Sequence, residues 1–354
     1  TDARRAVDAV TRLVCSARDF ARVAVVVGAV LGFALILLAI GGYDLASCAS
    51  AFWHGTFGNR YGLASILTGA CPLILTGLAV ALAFRAGALN IGAEGQLLVG
   101  GLAAVALATS VDLPPWALAP MLFVGGVAGG CLWAGIAGAL RVWRRVPEVL
   151  STILLNFVAI EFVRYAVTGP LEGVRGTAQT AEIPHTLRLW MLDPSTDLHA
   201  GIFLALLAAP MTHLLIHRTT AGFELRAVGD NPVAAMYAGM SPARAAFVAM
   251  LISGGLAGVA GCVELLGRVG SLSQGFTTVG YGYTAIAVAM LARLSPLGVV
   301  ASALFFSALA SGTREMTFEP NYVPDKLVEV IRGLVVLLAV GYGVAEARFS
   351  KRGT

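Results

Sequence analysis

Asn90, Glu94 and Gln96 fall close together in the stretch Leu89-Asn90-Ile91-Gly92-Ala93-Glu94-Gly95-Gln96, with long apolar sequence on both sides. Each carboxamide offers donors and an acceptor for a small polar solute or for neighbouring backbone, and the carboxylate accepts only. Gly92 and Gly95 permit a helix break that leaves backbone groups free to line a wet cavity. A second polar stripe follows. Glu148, Thr152 and Asn156 are one turn apart on a helix face, with Ser151 beside them. Tyr281 and Tyr283, with Phe157 and Tyr165, add aromatic surface. Each group has a structural alternative. Glu94 either pairs with Arg85 or holds a ligand hydroxyl, and the amides either meet cargo or brace two helices. Aromatic residues near span ends also serve as interfacial anchors.

Several chemistries are missing their residues. Lys326 and Lys351 are the two lysines, and neither follows a glycine, so the chain has no P-loop to hold nucleotide phosphates. No H-E-x-x-H pair and no G-x-S-x-G elbow occurs. His213 and His217 are four apart but have no Cys or carboxylate motif near them, so no metal site is expected. Cys15, Cys48, Cys71, Cys131 and Cys262 are scattered without C-x-x-C spacing and read as small apolar residues. Cofactors, metals and catalysis by this chain are therefore not expected, and the net charge of +4 does not point to nucleic acid.

The elements that must position these residues are membrane helices. Hydrophobic residues make up 58% of the 354 and charged residues 12%, about half the share of ordinary soluble domains. Runs of about 20 apolar residues recur, and 42 glycines suit close helix approach where water cannot drive association. Alternation of period two is lacking, against a barrel. The expected fold is an all-α polytopic bundle, a single transmembrane domain over 1–354 embedded in the lipid bilayer. Ten spans are read at 21–42, 62–84, 97–111, 117–140, 149–168, 200–216, 246–266, 278–293, 297–314 and 327–345.

Arg4, Arg5, Arg12, Arg18 and Arg22 precede an apolar run longer than a signal h-region, so 1–20 reads as a cytoplasmic segment rather than a secretory signal. Leu45-Ala46-Ser47-Cys48 resembles a lipoprotein cleavage site only superficially. With that start inside, Arg141, Arg144, Arg145, Arg218, Arg226, Arg244, Arg293, Arg348, Lys351 and Arg352 also fall inside. Arg60, Arg175, Arg188, Arg268, Arg314 and Lys326 fall outside. The bias places both termini in the cytoplasm.

The loop over 217–245 contains a capped short helix. Asp230 and Asn231 precede Pro232 at its first turn, and Gly239 stands where it should stop. Its shape suits either docking on the inner face or an ordinary connection. Glu161 with Arg164, Glu264 with Arg268, and Glu329 with Arg332 are spaced for same-helix ion pairs.

These residues carry a resemblance. Phe84 to Gln96, Pro147-Glu148-Val149-Leu150-Ser151-Thr152-Ile153-Leu154-Leu155-Asn156-Phe157, the Gly222 to Gly239 segment, and Gly280 to Leu291 followed by Ser295-Pro296-Leu297-Gly298 stand in the order seen in bacterial ABC-transporter permeases of the nucleoside and simple-sugar import group. Asn90-Ile91-Gly92-Ala93-Glu94-Gly95 is similar to the nucleoside-type members, whereas ribose-type members have Asp-Leu-Ser-Val-Gly there. The resemblance implies an inward permease for nucleosides, or alternatively for a simple sugar or a heterocycle such as riboflavin, in the bacterial cytoplasmic membrane. It implies separate ATP-binding subunits, a second and related permease chain, and an extracytoplasmic solute-binding protein. Glu224, Arg226, Gly229, Asp230, Asn231, Ala234, Ala235 and Gly239 become the ATPase-coupling residues, although the leading Glu of the coupling-loop consensus is missing. An ion-coupled secondary transporter is the rival from another class.

Overall fold

The computed structural model describes residues 35–318 without interruption, together with 28, 32, 33, 323, 324, 326–330, 333, 334 and 337. The segment 1–20, much of the expected spans 21–42 and 327–345, Cys15, Arg332, Arg348, Lys351 and Arg352 lie outside the described residues. The expectations that rest on them stay outside it too.

In chain order the helices are α1 (Leu45–Trp53), α2 (Arg60–Arg85), α3 (Ala93–Ser110), α4 (Pro115–Arg144), α5 (Glu148–Thr168), α6 (Gly201–Arg218), α7 (Thr220–Asp230), α8 (Pro232–Tyr237), α9 (Pro242–Glu264), α10 (Tyr281–Leu291) and α11 (Pro296–Glu315). The described residues form no strand, only isolated bridges such as Gln179 with Ser273. An all-helical membrane chain was the expectation, and seven described helices are long and apolar enough to cross a bilayer: α2 to α6, α9 with its π-helical extension to Val269, and α11.

The apolar run expected to span over 278–293 behaves differently. It yields α10, eleven residues and about 16 Å long, half of the roughly 30 Å hydrocarbon core. A 3₁₀ segment, Gln274–Thr278, precedes it, and Gly280 turns the chain at φ +75. Arg293 and Leu294 in the left-handed region close its other end.

The chain divides into two compact units, one taking residues to 55 and from 312, the other 56–311. The first gathers Leu38, Cys48, Met316, Val323 and Val328 into a small apolar cluster, and Asp44 caps α1 by accepting from Ser47 N–H at 2.9 Å. Lys326 there pairs with Glu329 at 3.0 Å.

The second unit is built around α2, which is buried on nearly all sides, as an all-round apolar helix must be. Helix α9 packs on α2, α3 and α4, while α5 lies against α3 and α4, and α6 against α2. Backbones meet directly where α4 crosses α9: a Cβ on Gly258 would run into the Gly126 carbonyl oxygen, and one on Gly130 into that of Gly254. In hydrocarbon this close packing replaces the hydrophobic drive that soluble cores use.

The polar stretch from 169 to 200 folds back over one end of the bundle. Thr180 N–H donates to the Leu272 carbonyl at 2.9 Å, Ile183 N–H to Gly270 at 2.8 Å and Leu189 N–H to Leu266 at 2.9 Å. Helices α7 and α8 lie at the opposite end, past the C-terminus of α6.

Gly258→Leu is expected to eliminate membrane-inserted, monodisperse protein, whereas Gly275→Ala, with only ordinary contacts to meet, leaves the yield unchanged. Detergent extraction followed by size-exclusion chromatography reads both. Normal Gly258→Leu protein would contradict the α4–α9 packing.

Candidate functional site: a twice-broken polar core

The segment between α2 and α3 is a helix break. Gly87 at φ +70 ends α2, with Ala88 N–H returning to the Ala83 carbonyl at 3.0 Å in a left-handed cap. The chain then crosses the bundle interior without helical bonds until Ala93. Its polar groups are satisfied by the residues that the sequence singled out.

Asn90 is fully engaged. Its Nδ2 donates to Gln96 Oε1 at 2.9 Å and to Ser253 Oγ at 2.8 Å. Its Oδ1 accepts from Gly92 N–H and from Gln96 Nε2, both at 2.9 Å. These four bonds exhaust a carboxamide. Ser253 in turn donates to the Ala79 carbonyl at 2.7 Å, tying the break to both α2 and α9.

Asn156 caps α3 from a neighbouring helix. Its Oδ1 accepts from Gly95 N–H at 2.9 Å, and its Nδ2 donates to the Ile91 carbonyl at 3.0 Å. This relieves one of the orphan donors of the first helical turn. Thr152 Oγ1 accepts from Ile91 N–H at 3.4 Å and donates to the Glu148 carbonyl at 2.7 Å. Ser151 Oγ likewise donates to the Glu148 carbonyl, at 3.1 Å. Glu148 takes Arg141 at 2.9 Å and Leu89 N–H at 3.3 Å, and Arg141 also donates to the Gly87 carbonyl at 3.3 Å.

Glu94 crosses to the second break. Its two oxygens accept from Gly280 N–H at 3.0 Å and from Gly282 N–H at 2.6 Å. A side chain at 282 would run into the Glu94 backbone. The carboxylate therefore caps α10 from outside, where orphan N–H groups and the positive end of the helix dipole both favour an anion. Arg85, the alternative partner, has no carboxylate among the described residues.

Asn90, Glu94, Gln96 and Asn156 are each at most 1% exposed. In this conformation they join into one network whose main acceptors and donors are turned onto the protein. Tyr283 differs: its side chain is 43% exposed. Phe157 and Tyr165 point outward on α5, beside Leu150, Leu154 and Phe162.

A further cluster sits by α10 at the end opposite α7. Tyr281 donates to Glu264 Oε1 at 3.2 Å, and Arg268 Nε pairs with the same oxygen at 3.0 Å. The Glu264–Arg268 pair was visible as an i,i+4 spacing, but the Tyr281 bond was not. His199 packs flat under Gly267 and accepts Gly201 N–H at 3.1 Å on Nδ1. Burial, aided by Arg268, drives its pKa down to about 4, so the ring is neutral. Glu161 and Arg164 pair at 2.8 Å on the exposed side of α5.

At the other end, the 217–245 loop holds two helices. Thr219 caps α7, and Asn231 caps α8 through Val233 N–H at 3.1 Å and Ala234 N–H at 3.0 Å. Asp230 closes α7 instead of sharing that cap, because the residue before Pro232 is driven to the extended region. Gly239, at φ +82, ends α8. Leu225, Val228 and Ala235 face inward onto Leu82 of α2 and Ala86 just past its end, and Gly229 lies directly on the Arg85 carbonyl. Glu224 and Arg226 are partly buried, while Asp230, Asn231 and Ala234 are exposed. Phe223 of α7 and Val233, Met236 and Tyr237 of α8 are exposed apolar residues, Tyr237 being 91% exposed. Sequence reading passed over these four, although apolar residues on the outer face of a polar-end helix were the available signal.

Seven apolar helices among the described residues, an interior broken twice around polar residues, and an amphipathic helix pair at one end are the architecture of a multi-pass membrane protein. The chain belongs to the branched-chain amino acid transport system / permease component family, which it matches over residues 62–340. It is 39% identical to the guanosine ABC transporter permease protein NupP of Bacillus subtilis, over 91% of this chain and 93% of that one. The glucose ABC transporter permease protein TsgB13 of Haloferax volcanii is 38% identical, over 88% of this chain and 84% of its own. The nucleoside ABC transporter permease protein NupB of Lactococcus lactis is 30% identical, over 93% and 92%.

Glu94→Gln retains shape but presents an NH₂ to one of the two glycine N–H groups, which loses its acceptor at a cost of about 1–3 kcal/mol. The purified variant is expected to melt at lower temperature than wild type; an unchanged melting temperature would show that the carboxylate does not hold α10.

Proposed function

We propose that this chain is the translocation subunit of an ATP-driven importer that carries nucleosides inward across a bacterial cytoplasmic membrane. The observation that carries the reading is the similarity to guanosine and nucleoside permeases over nine-tenths of the chain. The separate ATP-binding subunits, a second permease chain and an extracytoplasmic solute-binding protein follow from the same relationship. So do both termini in the cytoplasm and ten membrane segments, of which the one over 278–293 is a broken segment, a 3₁₀ turn leading into the short α10, rather than one continuous spanning helix.

The geometry supports a route for the force. An ATP-binding subunit docks on the exposed Phe223 of α7 and Val233, Met236 and Tyr237 of α8. Movement of α7 reaches the break at once, because Gly229 is seated on the carbonyl that ends α2. From Gly87 the connection runs through Asn90 and Glu94 to α10. In this reading Asn90, Glu94, Gln96, Glu148, Ser151, Thr152 and Asn156 hold the wall of the path and rearrange as it opens. Tyr283 offers aromatic surface to a base, and Tyr281 is held on Glu264.

A simple sugar is the second reading, favoured by the glucose permease at 38% identity. Uptake of labelled guanosine by cells with and without this chain decides between them. Uptake is expected to disappear with the chain and to be competed by unlabelled nucleosides, not by glucose; competition by glucose alone would overturn the nucleoside assignment.

Gly229→Val tests the force route. It is expected to leave protein in the membrane while cutting uptake at least about tenfold and abolishing cargo-stimulated ATP hydrolysis, since the added side chain forces α7 off the Arg85 carbonyl. Normal stimulation would reject the α7 contact as the coupling element.

A further inference from the structure

Beneath α7 lies a group of basic side chains with no acidic counterpart. Leu82 of α2, Ala86 just past its end, Ile216 of α6 and Leu225 of α7 pack into one apolar cluster. This packing brings together the residues beside them in sequence: Arg85, His217 and Arg226. His213 lies one turn before His217, with ring centroids 4.5 Å apart. Arg226, Arg85 and His213 all lie within electrostatic reach of His217. None of the four has a carboxylate partner among the described residues.

Two atoms sharpen the point. Arg226 Nε and His213 Nδ1 are buried and have no hydrogen-bond partner. A buried donor without an acceptor is costly, and a cationic one more so. The carbonyl ends of α2 and α6 offset part of the charge, yet neither supplies an acceptor to these two atoms. The arrangement calls for an anion with several oxygens.

The surroundings select its kind. Phe203, Leu207, Met211 and Leu214 lie on one exposed face of α6 and lead toward His217. They present a strip of apolar surface running down the helix from a basic cluster at its end. A phosphate with acyl chains fits both parts, whereas inorganic phosphate or a protein carboxylate leaves the strip unused. Basic pockets between helix ends on the cytoplasmic side take lipid headgroups in this manner.

We propose that Arg85, His213, His217 and Arg226 form a binding site for the phosphate of an anionic phospholipid of the inner leaflet. The site rests on the permease reading for its orientation. Bound phosphate screens Arg85 from Arg226 and so holds α7 against the end of α2, where Gly229 makes its contact. The lipid thereby supports coupling and does not belong to the cargo path.

The test uses the complete transporter purified with its subunits and exchanged into nanodiscs of phosphatidylcholine, with or without phosphatidylglycerol. Native mass spectrometry reads retained lipid, and cargo-stimulated ATP hydrolysis reads coupling. Wild type is expected to retain phosphatidylglycerol preferentially and to need it for full stimulation. Arg85→Gln and Arg226→Gln each lose about fivefold of that preference, while Arg218→Gln, exposed at the same helix end, keeps it.

Equal retention in Arg226→Gln and Arg218→Gln would overturn the proposal. Full stimulation on adding inorganic phosphate to phosphatidylcholine discs would also overturn it, in favour of a free-anion site. Loss of the ATP-binding subunit from Arg226→Gln regardless of lipid would reassign the cluster to a subunit carboxylate. Lipid retention is read without cargo, so a wrong cargo assignment leaves this outcome untouched, and failed retention leaves the uptake assay unaffected.

Discussion

One carboxylate organises the interior of this permease. Glu94 accepts two backbone N–H groups at the start of α10, a helix too short to cross the membrane whose first turn packs on the buried start of α3. A helix start in an apolar interior leaves donors that water cannot reach. The favourable end of the helix dipole adds to the attraction for an anion. Removing Glu94 would leave α10 with unmet donors, and removing α10 would leave a buried charge without hydrogen bonds. Each explains the presence of the other.

The remaining polar residues follow from that arrangement. Glu94 reaches Gly280 and Gly282 because α3 begins at Ala93, and α3 begins there because the chain is broken from Ala86 to Gly92. The break is tolerable because Asn90, Asn156 and Thr152 satisfy its backbone. Its other side is shaped by α7, whose Gly229 sits on the last turn of α2. Two devices of ordinary helix chemistry, a left-handed glycine cap and a capping carboxylate, thus lie between the α7–α8 pair and the middle of the bundle. Such a chain of contacts transmits force only if it has two discrete arrangements, and a capped half-helix is an element that can have them.

Much of this was legible in the sequence, and what was not has a physical cause. Polar residues flanked by long apolar runs marked 89–96 and 148–156 as special, because such residues do not stay at depth without partners. Asn231 and Pro232 announced α8 correctly, and the same proline explains why 217–245 holds two helices with an extended residue between them. The partner of Glu94 was beyond reach of local reasoning, since Gly280 is 186 positions away and a backbone N–H has no sequence signature. For the same reason 278–293 read as a full span: its apolar run is long enough, and only the capping carboxylate reveals that α10 begins mid-bundle. The glycine contacts of α4 with α9 were foreseeable in kind from composition, but their pairing required the fold.

Amide hydrogen exchange over 274–291 in wild type and in Glu94→Ala, measured by mass spectrometry on the purified protein, addresses the Glu94–α10 bond most directly. Protection of the amides at 280–283 is expected in wild type, with selective loss in the variant while exchange in α3 and α9 stays as before. Equal exchange at 280–283 in the two proteins would contradict the account.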